Sequence, residues 1–308
     1  MLTFRLATED DAEVMHQVTQ RAYAARPAVD PPSTALSETA VDVRADLAEH
    51  GGLIAYADGE AVASLRFRFD GRVAWLRRVG VVPEQARRGV GTHLVTYAHG
   101  VLARRPVEDL HVGVRFALAD NRRFWETLSY ADFGSDEHSY ILSRTPPYLA
   151  LVATGEEMRD LGRRLAALLA PGDVVVCIGE LGAGKTTFAQ GVGAGLGVET
   201  AITSPTFVLA RAHRGPSRVP FVHADAYRLG GVADPLGELD ALDLDASVDE
   251  AVTLVEWGAG LAERLAASRV EVRMDVADDE TRSVVIDGLG PRWAGVNLRA
   301  ALGAVTAP

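Results

Sequence analysis

A chain of 308 residues with 48% hydrophobic and 24% charged residues is long enough for two domains with separate cores. Its apolar runs, such as Val174 to Ile178, are far shorter than a membrane span, Met1 to Arg5 leads into Glu9, Asp10 and Asp11 without a signal-peptide profile, and one cysteine excludes an internal disulfide or a cysteine-cluster zinc site. Net charge is −11, and residues 146–308 hold 14 basic against 22 acidic residues, a balance that argues against a broad phosphate-backbone footprint on DNA or RNA. A cytoplasmic location with no membrane association is expected.

In chain order, the first half predicts helices at Asp10 to Ala25 and Thr39 to His50, separated by a stretch holding Pro27, Pro31 and Pro32. Strands are predicted at Leu53 to Ala57, Ala61 to Phe69 and Val73 to Val81, then a helix at Gly91 to Arg104 and a strand at Asp109 to Val114. The pattern is α+β, with an antiparallel meander feeding a glycine turn. Tandem proline at Pro146 and Pro147 stops helix and ladder alike, so residues 146–149 are expected to link a domain of 1–145 to one of 150–290, with 291–308 a loosely structured tail.

The second half opens with a predicted strand at Leu149 to Ala153. Thr154 and Glu157 have capping-box spacing for a helix to Ala170, where Pro171 and Gly172 break the pattern. A buried strand at Val174 to Ile178 leads into a glycine-rich loop and a helix from about Thr187. Later strands are expected at Thr206 to Ala212, Val219 to His223, Val252 to Glu256 and Val270 to Val276. Cys177 is expected to be an inert core residue. The run from Gly191 to Gly197 has no register matching G-x-G-x-x-G and is expected to be a helix terminus.

The loop from Gly179 to Thr187 reads GELGAGKTT, a full match to the phosphate-loop pattern, and contains Lys185, the only lysine of the chain. Its backbone N–H groups suit a polyphosphate, the lysine suits the β and γ phosphates as a compact charge, and the Thr186 hydroxyl suits Mg2+. Such a loop needs an acid at the end of a neighbouring strand, for which Asp225 and Glu256 are the candidates. The acids Asp234, Glu238, Asp240, Asp243, Asp245, Asp249 and Glu250 read as a solvated face or a docking surface, and Arg211, Arg214 and Arg218 as a surface loop.

Four segments in this order, ELGAGKTTF from Glu180, TSPTF from Thr203, HADAYRL from His223 and LVEW from Leu254, resemble the TsaE family over residues 150 to about 288. The resemblance implies a P-loop NTPase-like α/β fold and a small ATPase that works with the TsaD and TsaB proteins in making threonylcarbamoyladenosine on tRNA, touching tRNA only indirectly. It assigns ATP to Leu181, Gly182, Ala183, Gly184, Lys185, Thr186 and Thr187, with Ser204 and Thr206 as a γ-phosphate sensor. It gives Mg2+ to Thr186 and Glu256, and water positioning or support of the metal to Asp225. Lys185, Asp225 and Glu256 are the catalytic candidates, whereas Tyr227 and Trp257 are read as core or interface aromatics.

RVGVVPEQARRGVGT from Arg78 and NRRFWETLSY from Asn121 resemble the GNAT acetyltransferases over residues 1–144. This implies that Val79, Gly80 and Val81 face the pantetheine of acetyl-CoA and that Arg87, Arg88, Gly89, Val90, Gly91 and Thr92 meet its pyrophosphate. Two positions depart from the family pattern: Ala86 replaces the usual Gln or Arg, and Trp125 replaces the usual tyrosine acid. Residues 73–82 offer no Asp or Glu as a base. The half is therefore an acetyltransferase using water or another residue, or an acyl-CoA-binding or structural domain. For the other half, a small-molecule P-loop kinase and a nucleotide-gated scaffold are the competing classes.

Overall fold

A computed structural model describes residues 2–204, 210–213, 219–226, 250–257, 266–277 and 281–303. The chain forms two compact units, Met1–Pro146 and Pro147–Pro308.

The N-terminal unit has a GNAT-like fold. It runs β1 (Leu2–Ala7), α1 (Ala12–Ala24), α2 (Ala40–His50), β2 (Gly52–Ala57), β3 (Glu60–Asp70), β4 (Val73–Val81), α3 (Val90–Ala103), β5 (Asp109–Arg115), α4 (Ala119–Thr127), β6 (Ala131–Ser135) and β7 (Ser139–Arg144). The sheet order is β1-β2-β3-β4-β5-β7-β6. All pairs are antiparallel except β4 with β5. Helix α2 starts at a capping box, in which Asp42 accepts from the Thr39 N–H at 2.8 Å and Thr39 accepts from the Asp42 N–H. The apolar side of α3 (Leu94, Val95, Ala98, Leu102) is fully buried.

The β4–β5 ladder stops early. It pairs Val73–Trp75 with Asp109–His111 only, although β4 continues to Val81 and β5 to Arg115, so the strands part into a fork. β4 itself is irregular just beyond the last pair: its register with β3 slips between Ser64 and Arg66, with the extra residue on β4, and Arg78 takes a left-handed φ of 53°. An arginine held there needs support. Its Nε donates to Glu38 at 2.8 Å, and the buried Arg66 pairs with the same carboxylate and with Asp46. Burial alone would raise the Glu38 carboxyl, but Arg78 and Arg66 hold it below its usual range.

The C-terminal unit runs β8 (Tyr148–Val152), α5 (Gly155–Ala166), β9 (Val174–Gly179), α6 (Lys185–Gly195), β10 (Ala210–His213), β11 (Phe221–Asp225), β12 (Val252–Glu256), β13 (Arg269–Val276), β14 (Arg282–Leu289) and α7 (Leu298–Leu302). Its sheet order is β10-β11-β12-β9-β13-β14-β8, with β11, β12, β9 and β13 parallel and the outer strands antiparallel. Val174, Val175, Val176 and Cys177 of β9 are buried, as a central parallel strand covered on both faces requires.

Several expectations need correction. Residues 148 and 149 are not linker: Tyr148 is buried and pairs with Ile286, so the sheet begins there. Residues 291–303 are not a loose tail, because Trp293, Leu298 and Leu302 are buried in the core and Trp293 packs on Gly288. Helix α5 ends at Ala166, not at residue 170. Helix α6 begins at Lys185, two residues before the expected start, and ends at Gly195, within the expected terminus, with Gly191 and Gly193 in its last turns. Their purpose is close packing, since a Cβ on Gly191 would stand 2.1 Å from the Arg159 carbonyl oxygen of α5. Strand β11 sits two residues later than expected, which puts Asp225 inside it.

This contact predicts opposite outcomes for two helical glycines. Gly191→Ala should destabilise its unit by about 2 kcal/mol, since the clash is with backbone that cannot move aside. Gly100→Ala in α3, where a Cβ meets nothing within 4 Å, should stabilise its unit by up to about 1 kcal/mol. Denaturant unfolding of the full-length variants measures both, and a stabilising Gly191→Ala would contradict the packing described.

Candidate functional site

Between β9 and α6 the chain turns through Gly182 (φ 83°) and Gly184 (φ 107°), a backbone that side-chain-bearing residues rarely adopt. Ala183 is buried beneath the loop, whereas Leu181 at its tip is 89% exposed. Helix α6 therefore starts with Lys185, Thr186 and Thr187, and their N–H groups, lacking intrahelical partners, open towards the loop. A cleft beside it is lined by Gly182, Gly184, Thr187, Thr154 and Arg282.

Lys185 is 4% exposed. Its ammonium donates to the carbonyls of Gly179 and Glu180, both at 2.9 Å, and lies 3.7 Å from the centroid of the Trp257 ring. Among the described residues no carboxylate is within ion-pair distance of it. Burial pushes the Lys185 ammonium below its ordinary value, with Glu256 pulling the other way. A buried cation met by carbonyl dipoles and a π face fits an anionic ligand. Cys177 is no nucleophile, because burial foremost, then Glu256, raises its thiol well above the usual range.

The two candidate acids meet at this loop. Asp225 and Glu256 occupy paired positions at the carboxyl ends of β11 and β12, and β12 lies next to β9. The Thr186 hydroxyl donates to Glu256 Oε1 at 2.8 Å and lies 3.1 Å from Oε2. Hydroxyl and carboxylate oxygens converging beside a phosphate loop are the hard ligands that fit Mg2+, which takes few protein ligands and completes its shell with phosphate and water. Ser204 donates to Asp225 at 2.9 Å. Thr206, Tyr227, Arg214, Arg218 and the acids from Asp234 to Asp249 lie outside the described residues.

Sequence reasoning overlooked two members of this site. His223 is fully buried, and its Nε2 lies 2.8 Å from Glu256 Oε1, which joins His223, Glu256 and Thr186 in one chain. Its position two residues before Asp225 on the same strand was the available signal. Arg282 stands on β14, a strand that the sequence reading missed altogether.

In the N-terminal unit, β4 beyond Trp75 keeps β3 on one side and has no strand on the other, so Val79, Gly80 and Val81 border the fork. A Cβ on Gly80 would stand 2.9 Å from the Ala22 Cβ, so this stretch is pressed against α1. Arg87 (φ 59°) and Gly89 (φ 77°) turn the chain into α3, whose first N–H groups, on Val90, Gly91 and Thr92, have no intrahelical acceptor. Arg87, Arg88 and Gly89 are exposed and Val90 is buried. The edge of β4 beyond Trp75 and the start of α3 fit the amides and pyrophosphate of acetyl-CoA, with the Val79 carbonyl already held by the Arg26 guanidinium at 2.7 Å. Trp125 is buried and packs edge-on against Tyr130, whose hydroxyl is taken up by His99 at 3.1 Å.

Comparison with known proteins resolves the second unit. Residues 152–284 match the family model of threonylcarbamoyl adenosine biosynthesis protein TsaE. A tRNA threonylcarbamoyladenosine biosynthesis protein TsaE from Streptomyces coelicolor is 54% identical over 145 residues, which are 44% of this chain and 94% of the relative. The chain belongs to the TsaE family. The TsaE of Bacillus subtilis is 34% identical over 138 residues, covering 45% of this chain and 84% of its own. Residues 17–130 match the acetyltransferase (GNAT) family, so a GNAT domain precedes the TsaE unit. Among solved structures, Bacillus YdiB is 28% identical with a TM-score of 0.40, covering 48% of this chain and 88% of its own. The PaiA N-acetyltransferase of Thermoplasma acidophilum, solved with coenzyme A, is 15% identical with a TM-score of 0.43, covering 47% of this chain and 99% of its own.

Within the TsaE unit, the His223–Glu256 contact predicts that His223→Leu costs about 3 kcal/mol of stability at pH 7, because it leaves a buried carboxylate without that partner. The double variant His223→Leu/Glu256→Gln should recover part of the loss. Urea melts of the two variants measure this, and equal stability of wild type and His223→Leu would show that the pair bears no load.

Proposed function

We propose that the TsaE unit binds ATP with Mg2+ on the loop from Leu181 to Thr187 and hydrolyses it to drive threonylcarbamoyladenosine formation on tRNA. It acts there with TsaD and TsaB, in the cytoplasm, and touches tRNA only indirectly. The observation that carries the reading is the Thr186 hydroxyl on Glu256 beside a buried ammonium that has no carboxylate partner among the described residues. Bound Mg2+ would neutralise phosphate charge, held by Thr186 and Glu256. Lys185 would exchange its carbonyl partners for phosphate oxygens, and Asp225, held by Ser204, would position the attacking water. His223, whose Nε2 lies 2.8 Å from Glu256 Oε1, would hold that carboxylate in place for the metal. The relatives named for threonylcarbamoyladenosine biosynthesis support the pathway. The charge of −8 on residues 146–308 supports action on a protein partner over direct reading of tRNA.

The N-terminal unit, on the same reading, binds acetyl-CoA along Val79, Gly80 and Val81 and the turn from Arg87 to Thr92. It passes the acetyl group to an acceptor amine.

Mutation tests the division of roles. Lys185→Ala and Thr186→Ala should each lower ATP turnover by 100-fold or more, since each removes a contact worth about 3 kcal/mol in a dry phosphate site. Glu256→Gln should weaken Mg2+-dependent ATP binding, while Asp225→Asn should bind normally and turn over slowly. Calorimetry with and without Mg2+ separates the last two, and near wild-type turnover in Lys185→Ala and Thr186→Ala would remove the assignment.

A further inference from the structure

At the vertex of the β4–β5 fork stands a titratable side chain that neither family resemblance assigns. His111 is the last residue of β5 to pair with β4, opposite Trp75, before the strands separate. It is 5% exposed, and neither ring nitrogen has a hydrogen-bond partner among the described residues. The ring is walled by Trp75, edge-on with centroids 5.0 Å apart, and by Phe133 of β6 at 4.5 Å. Two positions further along β5, on the same face, a Cβ on Gly113 would meet nothing within 4 Å, so the strand has open space where the fork widens.

An imidazole left without partners in an apolar wall carries a desolvation cost, and such groups call for an explanation. Asp109, on the same strand face, lies deeper in the paired stretch, opposite Val73, and the other positions offer no base. Residues 73–82 contain no carboxylate, Trp125 has no hydroxyl, and the Tyr130 hydroxyl is engaged by His99.

We propose that His111 is the catalytic base of the N-terminal unit, taking the proton from a primary amine acceptor as that amine attacks acetyl-CoA in the fork. The inference rests on the reading of this unit as an acetyl-CoA-dependent transferase. The amine nitrogen attacks the thioester carbonyl, the C–N bond forms and the C–S bond breaks. The proton lost by nitrogen passes to the imidazole and then to solvent, and coenzyme A leaves as a thiolate that solvent protonates. Burial pushes the His111 imidazole below its ordinary value, with Asp109 opposing, which keeps it neutral and able to accept a proton at pH 7. The charged groups on this sheet face are Asp109 and Arg115 on its own strand, Arg77 on β4 and, one strand further, Asp70, Arg68 and Arg66 on β3, the last paired with Glu38 and Asp46. The facing residues of β7 and β6, Ser143, Ala131 and Phe133, carry no charge.

The test follows thiol release from saturating acetyl-CoA by the full chain, with three amine probes: a peptide with a free α-amino group, an N-blocked peptide with one internal lysine, and spermidine. Wild type should accelerate thiol release with at least one probe, and its rate should fall with acid through an inflection below pH 6.5. His111→Gln should bind acetyl-CoA with unchanged heat, lose about 100-fold in rate and lose that inflection. Absence of acetyl-CoA heat in wild type would remove the underlying transferase reading together with the proposal. Normal acetyl-CoA heat with no accelerated thiol release for any probe, or with a His111→Gln rate and profile like wild type, would overturn the role of His111 alone. The wild-type profile remains decisive even where His111→Gln fails to fold.

Discussion

One hydrogen bond, from the Thr186 hydroxyl to the Glu256 carboxylate, ties the first turn of α6 to the end of β12, and the candidate site is organised around it. It exists because β9 lies beside β12 in a parallel sheet, so the loop leaving β9 and the acid ending β12 emerge on the same edge. The glycines of α6 set the depth of that helix against α5, and the left-handed Gly184 turns it towards the strand ends. His223 holds the same carboxylate from the other side. Lys185 is thereby placed in a pocket of carbonyls and an indole face, a position whose desolvation a polyphosphate would relieve.

The N-terminal unit depends on a different constraint. Its fork is the outcome of a slipped register between β3 and β4 and of an arginine, Arg78, held at positive φ by Glu38. Arg66, buried and shared between Glu38 and Asp46, anchors the same carboxylate. These ion pairs shape the strand edge on which a pantetheine would lie and the vertex at which His111 stands. The absence of a hydroxyl at Trp125 does not touch this framework, so binding and chemistry are separable there.

Much of the site was legible because its chemistry is written in contiguous residues. The loop from Gly179 to Thr187, the apolar run that ends in Glu256 and the glycine turn before α3 each carry their own signal. What escaped the sequence reading depends on partners far along the chain. Nothing local marks Arg282 as a loop neighbour, since its strand pairs across the unit with β8. Trp293 looked like part of a tail because its burial is decided by Gly288, and the packing role of Gly191 was hidden because the Arg159 carbonyl it meets sits on another helix. The exposed strand β6 gave no apolar alternation to detect.

Coupling of ATP turnover in the second unit to a modifying enzyme is the property on which the proposed function stands. The most direct measurement is the ATP hydrolysis rate of the full chain alone, with TsaD and TsaB, and with those proteins plus substrate tRNA, alongside threonylcarbamoyladenosine formed. Turnover should be slow alone and rise at least tenfold with the partners, and modified tRNA should form only when Lys185 is intact. Fast turnover that ignores both partners, or full modification by the Lys185→Ala variant, would contradict that coupling.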